Sequence, residues 1–257
     1  MSIPALGTGT WAMSVDELMT YGAALGVQTW PTVLDLAASQ KVESDCVTTD
    51  HETSGATIDP GEPTLATLLT QLGRPDVQFE IRVVGAEPTR ACVAITADAS
   101  VIAVREGLTV RLQTLSAGID AVAGAIVALM GDGVAADMRP ARAPIADLVE
   151  RLDAAAVVED YVDALYAAGV HHRDAVTVGS ALSSCTGHAE IVVARSVDGS
   201  TTVSPAAVVV LETDVGRIVA SPCPSPDRVL WTTFAPGTRQ RLRQALALLM
   251  ETLDDGP

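Results

Sequence analysis

The spacing of apolar residues changes several times along the chain, and each change predicts an element. Val15, Leu18, Gly22 and Leu25 share one helical face. Ser14 and Glu17 are set as a capping box before it, and Gly26 is a stop. After Pro63, TLATLLTQLG predicts a short helix ending at Gly73. Four strand-like runs follow: VQFEIRVVG, ACVAIT, SVIAVRE and LTVRLQTL. Phe79, Ile81 and Val83 alternate as one buried face requires. Turn residues mark the joints at Glu87-Pro88, Asp98 and Glu106-Gly107. Ile119, Val122, Ile126 and Leu129 then predict a helix from about Ala117 to Met130.

The segment Gly131–Pro144, with two glycines and two prolines, reads as a connector. Ile145, Leu148, Leu152, Val158, Val162 and Leu165 continue a helical pattern, as one helix or two, to Gly169. The earlier order then repeats. RDAVTVGSALSS stands for TLATLLTQLG, and HAEIVVARS for QFEIRVVGA, with Glu190-Ile191 on Glu80-Ile81. PAAVVVLET and GRIVASP, turning at Asp214, match the hairpin that turns at Asp98. VLWTTFAPG matches VRLQTLSAG, placing Phe234 on Leu115 and Gly237 on Gly118. A last helix from Thr238 to about Leu253 carries Leu242, Leu246, Leu249 and Leu253 on one face.

The expected fold class is therefore α+β. It has two αβ subdomains related by a quasi-two-fold axis, each an antiparallel sheet of about four strands flanked by helices, plus connecting and C-terminal helices. The expected domain is a single one over 1–257, with halves of about 1–132 and 133–257. The polar segment Gln40–Pro60 fits no part of the repeat and is expected to be irregular or a weak edge strand, the most mobile part of the chain.

Composition narrows the function. The 257 residues are 48% hydrophobic but only 3% aromatic, so the core must be aliphatic. Net charge is −16, and the single lysine, Lys41, is set against fifteen arginines. That balance opposes binding to nucleic acid or to an anionic membrane surface. The longest apolar run, Ala121–Met130, has ten residues, where a membrane span needs about twenty. MSIPALGTGTW lacks the basic start and apolar run of a secretion signal, so a cytoplasmic location is expected. Cys46, Cys92, Cys185 and Cys223 have no paired spacing and are read as reduced and structural.

No catalytic constellation emerges, so the expectation is a protein that is not an enzyme and holds no cofactor and no metal. Cys185 and His188 make half a metal site without its second half. His171 and His172 are adjacent and point apart. Asp50-His51-Glu52 lies in the least patterned segment, where side chains are hardest to fix. Ser183-Ser184 lacks the glycines of a nucleophile elbow, and GTGT at Gly7–Thr10 precedes no phosphate-binding turn. Arg239, Arg241 and Arg243 form a small basic island in the first turns of the last helix, where the dipole opposes cations. That island is either a solvated face or a dock for an acidic partner.

SVDELMTYGAALGVQTWPTVL near the start resembles the opening of EspG proteins. The ending GRIVASPCPSPDRVLWTTFAPGTRQRLRQALALLMETL is similar too, with its G-R hairpin, W-x-x-F strand, P-G-T turn and Leu-rich helix. The resemblance implies two αβ subdomains with quasi-two-fold symmetry, in agreement with the repeat. It also implies a cytosolic chaperone of a type VII (ESX) secretion system in mycobacteria and related actinobacteria. Such a chaperone binds the helical tip of a PE–PPE heterodimer through PPE, keeps it soluble and delivers it for transport. It implies no catalytic residues, and it places the contact on the sheet and helices of the second half. Strand position and chemistry then nominate Arg195, Val197, Arg217, Val219, Trp231 and Thr233, with Arg239 and Arg243 from the basic island. Two rivals stay open: a small-molecule enzyme with a pocket between the halves, using His188 or Asp50-His51-Glu52, and a structural component of a secretion assembly.

Overall fold

The computed structural model describes residues 10–36, 64–97, 99–116, 118–131, 133–225 and 229–253. The Gln40–Pro60 expectation, Asp50-His51-Glu52 and Cys46 lie outside them. The chain enters through β1 (Thr10–Ser14) and turns into α1 (Val15–Ala24). Ser14 Oγ accepts from the Glu17 amide at 3.2 Å, while Glu17 Oε2 accepts from the Ser14 amide at 2.7 Å, completing the capping box. Val15, Leu18 and Gly22 are buried as the spacing requires, but Leu25 is the C-cap and is exposed.

A 3-10 turn at Thr32–Leu34 and α2 (Leu65–Gly73) complete the first helical layer. The four predicted strands appear as β2 (Val77–Val84), β3 (Thr89–Ile95), β4 (Ser100–Glu106) and β5 (Thr109–Leu115), followed by α3 (Ile119–Met130). The second half begins with β6 (Ala141–Pro144), inside the segment expected to be a connector. The following helical pattern resolves into α4 (Ile145–Asp153) and α5 (Val158–Ala167), then α6 (His172–Ser183). β7 (Gly187–Val197), β8 (Ser200–Val203), β9 (Val208–Thr213), β10 (Gly216–Pro224) and β11 (Leu230–Pro236) lead to α7 (Arg239–Glu251). Thr238 caps α7 by accepting from the Arg241 amide at 3.1 Å.

The two expected sheets are joined. Every ladder is antiparallel, and the strand order is β1-β5-β4-β3-β2-β7-β9-β10-β11-β6, with β8 added beside β7. The order is symmetric about the β2–β7 pair. At that seam Ile81 faces Ile191, Glu80 faces Val192, and Arg82 faces Glu190. Because Ile81 and Ile191 are the matched residues of the repeat, the quasi-two-fold axis passes through their pair. Carried outward along the ladders, this symmetry makes β1 the counterpart of β6 and sets Leu112 with Phe234. The sequence match of Phe234 with Leu115 is thereby corrected. Leu115 packs on the central core, whereas Phe234 and Leu112 face the opposite side of the sheet. An odd register slip exchanges faces, which is why the burial side decides the match.

Alternation gives the sheet two buried faces. On one, Phe79, Ile81, Val93, Ile102, Ile191, Val193, Val210 and Val219 meet α3 and α7, which pack on each other across the axis. On the other, two separate cores lie toward the ends. Leu18, Leu34, Leu68, Leu69, Leu72 and Leu112 sit under α1, α2 and the 3-10 turn. Leu148, Leu165, Val178, Ile218 and Phe234 sit under α4, α5 and α6. Between these helical layers the middle of the sheet is uncovered on that side.

Candidate partner-binding surfaces

The uncovered middle forms a groove of about 650 Å³. Gln78 and Glu80 of β2 and Val192, Ala194 and Ser196 of β7 lie along its floor. One wall is Thr29–Thr32 with Leu72 and Gly73 at the end of α2; the other is the β7–β8 hairpin, with Asp198, Thr201 and Val203. The floor is ordered from below and from the side. Thr32 Oγ1 donates to Glu80 Oε1 at 3.0 Å, and Gln78 Nε2 donates to the same oxygen at 3.2 Å. Beneath Glu80, burial first and this carboxylate second push the Cys92 thiol well above its ordinary range, so Cys92 is an inert core thiol. Val203 is 57% exposed and Val84, at the far end of β2, is 49% exposed, leaving apolar surface beside a polar rim.

The eight nominated residues do not form one patch. Arg195 and Val197 end β7 on the hairpin, Val197 exposed and Arg195 half-buried. Trp231 is half-buried on β11, and Arg239 and Arg243 are exposed on α7, with Arg243 paired to Asp120 of α3. Val219 is 1% exposed in the central core, Thr233 is buried on β11, and Arg217 is 6% exposed. Arg217 is occupied internally. Its Nε donates to Glu212 Oε1 at 2.5 Å, and its Nη2 donates to the carbonyls of Met130 and Gly131 at 3.3 and 3.1 Å. It thus satisfies carbonyls at the C-terminal end of α3 and ties the second half to the first. The groove was missed in the sequence because β2 and β7 were read in separate sheets. The half-buried, even-numbered polar residues Gln78, Glu80 and Ser196 were the available signal.

A second cleft, of about 940 Å³, is shared by the halves and contains His188, Glu87, Glu106 and the C-terminal end of α3. His188 is there without Cys185, whose thiol donates to the Gly187 carbonyl at 3.2 Å. Among the described residues no three of His, Cys, Asp and Glu cluster as a metal site would require. His171 precedes α6 as its N-cap, and His172 packs edge-on against Tyr166. The Ser184 hydroxyl pairs with Asp214 at 2.5 Å. No described helix is long and apolar enough to cross a membrane.

The chain is 32% identical over 203 residues to the ESX-1 secretion-associated protein EspG1 of Mycobacterium tuberculosis, covering 76% of this chain and 67% of that one. It is 26% identical over 257 residues to the EspG1 protein of Mycobacterium marinum, covering 95% and 88%. Its fold matches a solved structure of the M. tuberculosis type VII secretion system chaperone EspG5 in complex with a PE25–PPE41 dimer. That match has a TM-score of 0.73 and 15% identity, and covers 96% of this chain and 98% of that one. The profile of the EspG family spans residues 14–247, and the chain belongs to that family.

Proposed function

We propose that this protein is a cytosolic chaperone of a type VII (ESX) secretion system. It binds the helical tip of a PE–PPE heterodimer through PPE, keeps the pair soluble and directs it to the transport machinery. The reading is of a binding protein and not of an enzyme. The observation that carries it is the uncovered middle of the sheet, in a chain of the EspG family whose fold is shared with a chaperone solved on a PE–PPE dimer. The halves, about 1–132 and 133–257, act as one domain, since the β2–β7 ladder and the α3–α7 contact both cross between them.

The groove suits this work. A helical pair with an apolar tip self-associates unless the tip is covered. Val192 on the floor and Val203 on the wall offer apolar surface, and Glu80, Ser196 and Asp198 offer polar groups beside it. Tyr166 of α5 and Val176 of α6 are further exposed apolar side chains of the second half. Val197 belongs to the same hairpin. Trp231, Arg239 and Arg243 lie on the α7 side and are outside the proposed contact.

Co-expression with PE–PPE pairs of the host, followed by affinity capture and sizing, tests the reading. A stoichiometric complex with one pair is expected. Val203→Glu, at an exposed position, is expected to abolish it, while Arg239→Glu with Arg243→Glu leaves it intact. No complex with any pair would refute the chaperone reading. Loss in the arginine variant alone would move the contact to the α7 side.

A further inference from the structure

We propose that Arg142 and Arg241 form a binding site for a phosphate-type oxyanion on the α7 side of the second half. The two arginines reach one place from different elements. Arg142 lies on β6, opposite Thr233 of β11, and its Nη2 donates to Cys223 Sγ at 2.8 Å. Arg241 lies in the first turn of α7, and its Nη2 donates to Ser221 Oγ at 2.8 Å. Ser221 faces Thr233, and Cys223 faces Trp231, on alternate positions of the same strand pair and so on one face of it. Two guanidiniums, a hydroxyl pair and a thiol therefore converge beside a half-buried indole.

Three observations say that a ligand is missing from this set. The first concerns charge. Arg90, Arg111, Arg139, Arg217 and Arg243 each pair with a carboxylate, whereas Arg142 and Arg241 have none within ion-pair distance among the described residues. Desolvation by burial lowers the Arg241 pKa; Cys223, next in size, raises it, and Arg142, the smallest of the three, lowers it. The second is hydrogen bonding. Arg241 Nε is buried and meets no acceptor, and Arg142 uses a sulfur, which accepts weakly. Arg241 also stands at the N-terminal end of α7, where a cation is disfavoured and an anion is welcome.

The third comes from the symmetry. Carried out from the Ile81–Ile191 pair, the registers place Glu106 where Cys223 stands, Arg111 where Thr233 stands, and Ala12 where Arg142 stands. In the first half Glu106 and Arg111 satisfy each other at 3.1 Å. The second half keeps the frame, loses this Glu–Arg pair and carries Arg142 in place of Ala12, with Arg241 beside it. A bound oxyanion restores the missing negative group. Two guanidinium forks match a tetrahedral dianion in charge and in donor geometry. The group is either free phosphate or a phosphomonoester carried by a larger molecule. The site is on the opposite side of the sheet from the groove assigned to PE–PPE, so its failure and the failure of that assignment are separable.

The test titrates the intact protein with inorganic phosphate, and separately with phenyl phosphate, at ionic strength held constant with sodium chloride. The readouts are the arginine Nε–H resonances and the rate at which iodoacetamide labels Cys223. Saturable shifts of the Arg241 signal and slowed labelling of Cys223 are expected. Arg142→Gln, an exposed change, weakens the apparent affinity by about tenfold or more, while Arg139→Gln leaves it unchanged. Equal binding of both probes identifies an ester-linked ligand, and binding of inorganic phosphate alone identifies the free ion. A response no larger than that to chloride, or an unchanged affinity in Arg142→Gln, overturns the site.

Discussion

The two cores on the helical side of the sheet are built on matched strands but from different material. Under α1, α2 and the 3-10 turn, the first half packs Leu18, Leu34, Leu36, Leu68, Leu69, Leu72 and Leu112. Under α4, α5 and α6, the second half packs Ala136, Ala141, Ala143, Ala168, Ala175, Ala181 and Ala220 around Phe234 and Leu165. Large side chains let two helices and a turn fill the space. Small ones bring three helices close to the sheet and to each other. A duplicated frame thus tolerates opposite filling strategies, because packing density is what must be conserved at each end, not residue type.

The strongest test of that equivalence is a pair of truncations at matched positions. Phe234→Ala is expected to destabilise by about 4 kcal/mol and Leu112→Ala by about 3 kcal/mol, from lost transfer energy plus the cavity left behind. Denaturant unfolding should show one cooperative transition in both variants, since the β2–β7 ladder and the α3–α7 contact join the halves. Two resolved transitions in either variant would mean that the halves fold as separate units.

The next effect is carried by a residue that has no counterpart. Arg217 occupies in the second half the place held by Ser100 in the first, and unlike Ser100 it reaches across to the other half, at the end of α3. Arg217→Met keeps the stem but leaves Glu212 and the carbonyls of Met130 and Gly131 without their donor. A loss of about 3 kcal/mol is expected, at the low end for a broken buried pair because Glu212 is one-third exposed. Amide exchange in the last turn of α3 should rise in the same variant. An unchanged α3 would show that Arg217 serves only its own half.

How much of this was legible in the sequence follows physical lines. Strands buried on one or both faces were readable, because Phe79, Ile81, Ile191 and Val193 repeat with period two and each run ends in turn residues. The capped helices were readable for the same local reason. β1, β6 and β8 were not. They are short edge or hairpin strands; β8 is exposed throughout, and β6 alternates alanine with Arg142 in a Pro-rich segment. The merging of the sheets was hidden because strand adjacency is a non-local fact. The groove was hidden with it, since Glu80 and Val192 become neighbours only across that seam. Val219 and Thr233 were nominated for contact by strand position, and α7 covers that face. Arg217 looked like an interface arginine because nothing local reveals that its acceptors lie at the end of α3.

A smaller effect separates the helical layers. At Gly179 on α6, an added Cβ would lie 2.9 Å from the Val162 amide nitrogen and 2.7 Å from its Cγ2. At Gly73 on α2, the nearest atom would be the Val27 Cγ1 at 2.5 Å. A helix backbone cannot step aside, but a valine tip can. Gly179→Ala is therefore expected to cost about 2 kcal/mol and Gly73→Ala about 1 kcal/mol. Equal costs would deny that α5 and α6 depend on the closer approach.

The smallest expected effect distinguishes the ways the helices begin. Thr64 and Thr238 cap α2 and α7 with hydroxyls, which do not titrate in this range. At α5 the cap is a carboxylate: Asp160 Oδ2 accepts from the amides of Ala156 and Val157 at 2.9 and 3.2 Å. Those two amides hold the Asp160 pKa below its ordinary value of 3.8, against a small opposing effect of desolvation. The folded state therefore prefers the charged form. Its stabilisation is complete above that ordinary value and disappears as pH falls through the lowered one. Amide exchange at Ala156 and Val157 should accelerate on acidification through that window, while the first turns of α2 and α7 do not respond. Asp160→Asn should remove the pH dependence at α5 and leave the other two helices as they were. A response that is the same at all three helix starts would mean that acid loosens the whole domain, and that the carboxylate cap sets nothing locally.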